Sequence, residues 1–263
     1  MRYALISDIH GNAIGLDAVL ADIADQGGVD GYLFLGDYVA IGTDPLGVLT
    51  RISQLQNAVF IRGNTDRYLF EGSFPPPTVE QAKENPELIR TIVEVHSGFA
   101  WTQGVLAHLR ADQTNALHWL KWLASLPLDI RLTLPDGTRL LLVHARPGHD
   151  DGAEGLYAKS SDEDISKWFV GHDADLICVG HSHWQTERRI NGVHVVNPGS
   201  VGNPKGGITA KYAILEAEKS GYQVHMRQVA FDAQAVLKQL DEVRHPAPAY
   251  IRLFYGEGFK GAN

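Results

Sequence analysis

The chain opens Met1-Arg2-Tyr3-Ala4-Leu5-Ile6-Ser7-Asp8-Ile9-His10-Gly11-Asn12, and this stretch decides how the rest is read. Residues 3–6 form an apolar run rich in β-formers, which predicts a short buried strand. The run stops at Ser7, and Asp8 and His10 follow two residues apart. In an extended backbone, positions i and i+2 project to one side. The spacing therefore predicts that the carboxylate and the imidazole converge just beyond the carboxyl end of the strand. In open α/β sheets that edge is where ligands bind. An oxygen and an imidazole nitrogen aimed at one point make half of a site for a divalent transition metal. Gly11-Asn12 lets the chain turn, and a helical pattern begins at Ala13.

The same alternation continues outward. Ile14, Leu16, Val19, Leu20 and Ile23 recur at helical spacing until Gly27-Gly28. A second strand at 32–35 ends in Gly36-Asp37. Asp44-Pro45, a cap followed by proline at the first position, predicts a helix to about residue 55. A third strand at 58–61 ends in Gly63-Asn64-Thr65-Asp66. This βαβαβ order predicts a mainly parallel sheet. After Arg67 the rhythm breaks. Phe74-Pro75-Pro76-Pro77 is a stiff extended piece, and helical patterning over 79–126 predicts a helical cap insertion at about 70–128. A hairpin turning at Asp136-Gly137 then ends at His144. A helix over 161–170, capped by Ser161 or Asp162, leads to a strand at 176–179 that ends in Gly180-His181-Ser182-His183. Asn191-Gly192 marks a second hairpin, and strands at 211–215 and 223–229 precede a helix at 232–243. Residues 1–250 read as one domain, and 251–263 as a loosely held tail.

Composition narrows the function classes. The 263 residues are 44% hydrophobic, ordinary for a chain with a substantial core. A net charge of −8 argues against a general polyanion-binding surface, so a nucleic-acid partner is not expected. A phosphate-bearing ligand has to be held by a local site. The single cysteine, Cys178, sits in an apolar run and reads as a small buried hydrophobe. The absence of an intrachain disulfide suits a reducing compartment. The N-terminal stretch lacks signal-peptide character, and no run approaches the roughly 20 apolar residues of a membrane span. A cytoplasmic protein with no membrane partner is expected. Oligomeric state stays open.

Strand ends thus carry Asp8 and His10, Asp37, Asn64, His144, and His181 and His183, a set too regular for surface decoration. Asp-x-His, Gly-Asp, Gly-Asn-x-Asp, a lone His and Gly-His-x-His, in this order, resemble the calcineurin-like metallophosphoesterase superfamily, and more closely its compact bacterial and archaeal phosphodiesterases. Residues 196–202, Val-Asn-Pro-Gly-Ser-Val-Gly, are similar to a loop of that branch. The resemblance spans about residues 1–217 and is weakest between Arg67 and Leu134. It implies an α/β (α+β) fold, a four-layer α-β-β-α sandwich of two mixed sheets with flanking helices. It also implies two divalent cations, one held by Asp8, His10, Asp37 and His183, the other by Asp37, Asn64, His144 and His181. Mixed nitrogen and oxygen donors suit Mn, Fe or Zn. The implied activity is phosphoester hydrolysis by in-line attack of a hydroxide bridging the metals, on a small phosphodiester first of all. Alternatives are a phosphomonoesterase or protein phosphatase, a dinucleoside polyphosphate hydrolase, or an inactive binding scaffold. Asn12 and Arg146 are the expected phosphate contacts. Asn197 and Ser200 are expected to orient the histidines.

One departure bears on the chemistry. Many superfamily members carry a histidine, thought to protonate the leaving group, at the position of Thr65. Asp37 and Asp66 are the remaining candidates for catalytic roles, with Asp66 deprived of the histidine it would orient. Substitute acids are His108, from the cap, and His149. The other histidines (His96, His118, His172, His194, His225 and His245) read as surface or packing residues. Asp44, Asp150-Asp151 and residues 162–164 read as helix caps and solvated loops.

Overall fold

The computed structural model describes residues 1–107 and 116–255. Its first half runs β1 (Arg2–Ile6), α1 (Ala13–Asp25), β2 (Gly31–Phe34), α2 (Pro45–Ser53), β3 (Ala58–Phe60) and α3 (Asn64–Glu71). The helical stretch continues with α4 (Val79–Glu84), a short 3-10 turn, α5 (Ile89–Ala107) and α6 (Ala116–Ser125). Then come β4 (Asp129–Thr133), β5 (Arg139–Val143), α7 (Asp162–Phe169), β6 (Leu176–Cys178), β7 (Thr186–Ile190) and β8 (Val193–Asn197). The chain closes with β9 (Ala210–Glu218), β10 (Gly221–Val229), α8 (Ala233–Glu242) and α9 (Pro248–Tyr255).

Two mixed five-stranded sheets result, in the orders β10-β9-β1-β2-β3 and β4-β5-β6-β8-β7. In the first, β1, β2 and β3 are parallel and the β9–β10 hairpin is added antiparallel along β1. In the second, β5, β6 and β8 are parallel, with β4 and β7 as antiparallel edges. Strand alternation builds the layers. Leu5, Leu33, Leu140, Leu142 and Cys178 meet in the core between the sheets. Ala4 and Ile6 face the opposite way, into a cluster with Leu16, Val48, Phe99 and Leu123 of the outer helices. Leu141 and Val143 face α7 through Ile165 and Phe169. This is the expected four-layer sandwich; antiparallel strands flank the parallel ones on both sides in the second sheet and on one side in the first. Cys178 is fully buried between the sheets, and burial pushes its thiol pKa up.

Local signals acted as predicted at several ends. Asp44 accepts Gly47 N–H at 2.8 Å, Ser161 accepts Asp164 N–H at 3.1 Å, and Asp232 accepts Ala235 N–H at 2.9 Å, each capping a helix. Asn191 and Gly192 take the positive φ values, 47° and 83°, that a tight hairpin turn demands. Two readings are corrected. The Gly63-Asn64-Thr65-Asp66 stretch starts α3, because the Asp66 carboxylate reaches back to Gly63 N–H at 3.0 Å. The C-terminal stretch up to residue 255 is a helix with Ile251 and Tyr255 buried against Val236 and Leu240 of α8, so it is held by packing. Residues 256–263 of the expected tail lie outside the described residues. Among the described residues, no helix is long and apolar enough to cross a membrane.

Candidate metal centre

Five strands deliver their following loops to one edge. Asp8 and His10 follow β1, Asp37 follows β2, Asn64 follows β3, His144 follows β5, and His181 and His183 follow β6. The expectation that Asp8 and His10 converge through extended backbone is corrected in its cause. Asp8, His10, Asp37, His181 and His183 have φ values of 53°, 48°, 61°, 66° and 62°, all in the left-handed region. For a non-glycine residue that conformation costs about 1–2 kcal/mol. It persists where the surroundings over-determine it, as at ligand-holding sites. Backbone bonds between loops do so here: Asp8 N–H to Gly36 O at 3.1 Å, His10 N–H to Asp37 O at 3.0 Å, and Gly180 N–H to His144 O at 2.8 Å. The loops approach so closely that a Cβ on Gly36 would lie 2.5 Å from Gly63 N and 2.8 Å from His144 Nδ1. Only glycine fits.

The donor atoms fall into two groups that share Asp37. On one side, His10 Nε2 lies 3.1 Å from His183 Nε2, 3.7 Å from Asp37 Oδ2 and 3.9 Å from Asp8 Oδ1. His183 Nε2 is 3.3 Å from Asp8 Oδ1. On the other side, His144 Nε2 is 3.4 Å from Asp37 Oδ2 and 3.0 Å from Asn64 Oδ1, which is 3.1 Å from His181 Nδ1. Asp37 Oδ1 accepts Thr65 N–H at 2.9 Å, which leaves Oδ2 as the shared atom.

Carbonyl groups behind each ring choose which nitrogen faces inward. His10 Nδ1 pairs with Ala40 O at 3.1 Å, His144 Nδ1 with Leu35 O at 2.6 Å and His183 Nδ1 with Asn203 O at 2.9 Å. His181 is turned round, its Nε2 on Gly152 O at 2.9 Å and its Nδ1 inward. Burial drives the pKa of His10 down to about 4 and that of His181 down. His144 goes the other way: burial opposes its charge, but the Asp37 and Asp8 carboxylates outweigh burial and lift it to about 10. Burial likewise opposes the Asp37 charge and is outweighed by His144, so the carboxyl stays below the usual range.

Divalent cations fit these residues. With both rings neutral and Nδ1–H donating outward on His10 and His183, their Nε2 lone pairs face one another 3.1 Å apart. Asp8 Oδ2 is buried without a hydrogen-bond partner among the described residues. Asp8, His10, Asp37 and His183 bring donor atoms within 4.8 Å of one another, the crowding of lone pairs that a cation resolves.

The structure separates the ligand-facing residues from the other expected site residues. The Asn12 side chain caps α1, accepting Gly15 N–H at 2.8 Å, and it donates to Tyr255 Oη at 3.3 Å. It is buried, with its oxygen and one amide hydrogen engaged. Asp66 is fully buried and accepts N–H groups of Asp37 at 2.8 Å, Tyr38 at 3.0 Å and Gly63 at 3.0 Å. Its two oxygens serve backbone N–H groups and so hold the loops that carry Asp37 and Asn64 together. Burial, then the Asp37 charge, raises its pKa to about 7 against those three donors. Arg146 is half-buried; its Nε has no hydrogen-bond partner among the described residues, and Glu154 stands 4.0 Å away. His149 is exposed, with its backbone bridged to Arg146. His108 lies outside the described residues. Asn197 Nδ2 donates to Gly180 O at 2.6 Å and Ser182 Oγ at 3.0 Å, bracing the loop of His181 and His183. Ser200 Oγ donates to Asp8 O at 2.8 Å and accepts Asn203 N–H at 2.8 Å, next to the carbonyl that orients His183.

Sequence reading missed two supports. Asp150 and Asp151, read as solvated loop, form an ion-pair network. Asp150 takes Arg62 Nε and Arg67 Nε at 3.0 Å, and Asp151 takes Arg67 Nη2 at 3.0 Å and the Tyr68 hydroxyl. The network fixes the loop whose Gly152 O orients His181. The second support is Tyr255, whose buried hydroxyl donates to Gly202 O while Gly202 N–H holds Asp8 O at 2.9 Å. Tyr255→Phe removes only that hydroxyl. It is expected to weaken divalent-cation binding about tenfold, the scale for groups that orient ligands. Titration of the metal-free variant with Mn checks this, and an unchanged midpoint contradicts it.

The comparisons with known proteins agree with this geometry. Residues 1–220 match the model of the calcineurin-like phosphoesterase superfamily domain. An uncharacterized protein of Methanocaldococcus jannaschii is 29% identical over 269 residues, covering 96% of this chain and 97% of its own. A metallophosphoesterase from Sphaerobacter thermophilus superimposes with a TM-score of 0.68 at 25% identity, over 98% of this chain and 99% of that one. A hypothetical protein from Pyrococcus horikoshii superimposes with a TM-score of 0.73 at 16% identity, over 98% of each chain, which shows a shared fold. With its strand-end loops converging on one cluster of histidines and carboxylates, this chain belongs to the calcineurin-like phosphoesterase superfamily, as a phosphoric ester hydrolase.

Proposed function

We propose that the protein is a phosphodiesterase working with two divalent cations, Mn, Fe or Zn. The observation that carries this is the position of Asp37 Oδ2, 3.7 Å from His10 Nε2 and 3.4 Å from His144 Nε2, between two otherwise separate donor groups. Asp8, His10, Asp37 and His183 would hold one ion; Asp37, Asn64, His144 and His181 would hold the other. When bound, such a pair supplies an acidified water nucleophile and a positive field for phosphoryl oxygens. Asn64 contributes a neutral amide oxygen, so the site gains a donor without further negative charge. Arg146, half-buried two residues after His144 and 4.0 Å from Glu154, would take a phosphoryl oxygen through its guanidinium. The lone buried thiol of Cys178 suits the cytoplasm.

The residues around the donors offer little help to a leaving group. Thr65, where a histidine stands in many relatives, places its N–H on Asp37 and has no acidic proton to give near neutral pH. Asp66 spends its carboxylate on backbone N–H groups. A positioned general acid is worth about 10²–10⁴-fold. The metal-loaded protein should therefore cleave p-nitrophenyl diesters at least about 10²-fold faster than dialkyl diesters. A panel of bis(p-nitrophenyl) phosphate, p-nitrophenyl phosphate, cyclic nucleotides and dinucleoside polyphosphates, with Asp37→Ala as control, tests the whole reading. No turnover of any diester would end it, and equal rates for good and poor leaving groups would remove the missing-acid argument.

A further inference from the structure

Ligand exposure shows where the centre opens. Asp8, His10, Asp37, Asn64 and His144 are buried, whereas His181 and His183 are partly exposed. Access therefore runs past the loop that carries these two histidines. Beside that loop lies a cavity of about 560 Å³, within the roughly 300–1,000 Å³ of small-molecule sites. Its walls include Tyr157, Trp168, Trp184, Lys159, Lys205 and Asp164. Trp184 directly follows His183 in the chain. Tyr157 is close to the centre too: a Cβ on Gly155 would lie 3.3 Å from the Tyr157 ring and 3.8 Å from the His181 ring.

The lining has a distinct chemistry. Three large aromatic side chains provide stacking faces. Lys159, Lys205 and the neighbouring Lys211 form no ion pair with a carboxylate among the described residues, in a chain whose net charge is −8. The Lys211 ammonium instead donates to Lys205 O and lies 3.8 Å from the Cβ position of Gly206, itself 3.7 Å from the Trp184 ring. Lysine ammonium groups thus stand beside aromatic side chains, and Ser182, between His181 and His183 in the chain, joins this cavity to the loop of the two histidines. Asp164, already taking the Ser161 hydroxyl at 2.8 Å, adds an acceptor suited to sugar hydroxyls.

We propose that this cavity is the subsite for the retained half of the substrate, and that this half is a nucleoside: the base stacks on Trp184 and its neighbours while the phosphodiester sits at the centre. The assignment rests on the hydrolytic reading above and names its substrate class. Base stacking on aromatic side chains is worth about 5- to 150-fold in affinity per base.

Two esters with one leaving group test it. Thymidine 5′-monophosphate p-nitrophenyl ester and methyl p-nitrophenyl phosphate both release p-nitrophenolate and differ only in the retained group. The Mn-loaded full chain should favour the nucleoside ester at least about tenfold in kcat/KM. Trp184→Ala, and separately Lys205→Gln, should each bring that ratio down toward one, chiefly through KM. Cleavage of the methyl ester with no nucleoside preference, or a preference unmoved by both substitutions, overturns the subsite while leaving the hydrolase reading intact. Cleavage of neither ester overturns the phosphodiesterase reading, and the pocket is then judged by calorimetry with thymidine 5′-monophosphate. Binding at least tenfold weaker in Trp184→Ala supports it, and equal or absent binding overturns it.

Discussion

Asp37→Asn is expected to lower kcat/KM for bis(p-nitrophenyl) phosphate by at least about 10³-fold, roughly 4 kcal/mol of transition-state stabilisation. The size follows from how the carboxylate is divided. One oxygen is fixed by Thr65 N–H at 2.9 Å, and the other stands between the His10 and His144 nitrogens. An amide keeps the shape, yet it either points an NH₂ group at both donor groups or offers a neutral oxygen in place of a charged one. Both proposed cations lose the ligand they share. Activity and metal content, measured on the same folded samples, should fall together. A variant that keeps more than a tenth of the activity with full metal content would show that Asp37 is not shared.

Asp66→Ala is expected to act on stability first. It leaves the N–H groups of Asp37, Tyr38 and Gly63 without their acceptor in a site closed to water. An orphaned buried donor costs about 1–3 kcal/mol. With some relaxation, a loss of about 4 kcal/mol is expected, at the upper end for a single substitution. In a chain of this size that corresponds to a fall in Tm of about 8–16 °C. Activity should fall as well, because the loops carrying Asp37 and Asn64 are joined through this carboxylate. A Tm within about 2 °C of the unsubstituted protein would contradict the positioning role.

These two aspartates also mark the limit of what could be read from the chain. Each donor sits within five residues of the end of a short apolar strand, so strand ends recognised one at a time already pointed to the residues that the structure gathers. The βαβ rhythm, the Asp44-Pro45 cap and the Asn191-Gly192 turn are local signals as well, and local signals survive translation into structure. The bonds that Asp66 and Asn12 make were not legible, because a carboxylate or amide in a motif looks the same whether it faces a ligand or a backbone N–H. Their partners, Tyr38 and Gly15, are fixed only by folding. Tyr255 is further still from legibility: its hydroxyl meets Asn12 from 243 positions away, through a helix whose apolar face is short. Asp150 and Asp151 failed for a related reason. An acidic pair in a loop reads as solvated until Arg62, from the loop after β3, and Arg67, from α3, are seen to close on it. Left-handed backbone at five of the clustered donor residues has no sequence signature except the glycines that crowd beside it.

The central claim is that one carboxylate is shared by two cations. Anomalous diffraction from crystals of the Mn-loaded protein, recorded on both sides of the manganese edge, tests it most directly. Two manganese peaks are expected, one on each side of the Asp37 carboxylate, within the His10–His183 and His144–His181 groups. A single peak, or peaks lying away from Asp37, would contradict the account.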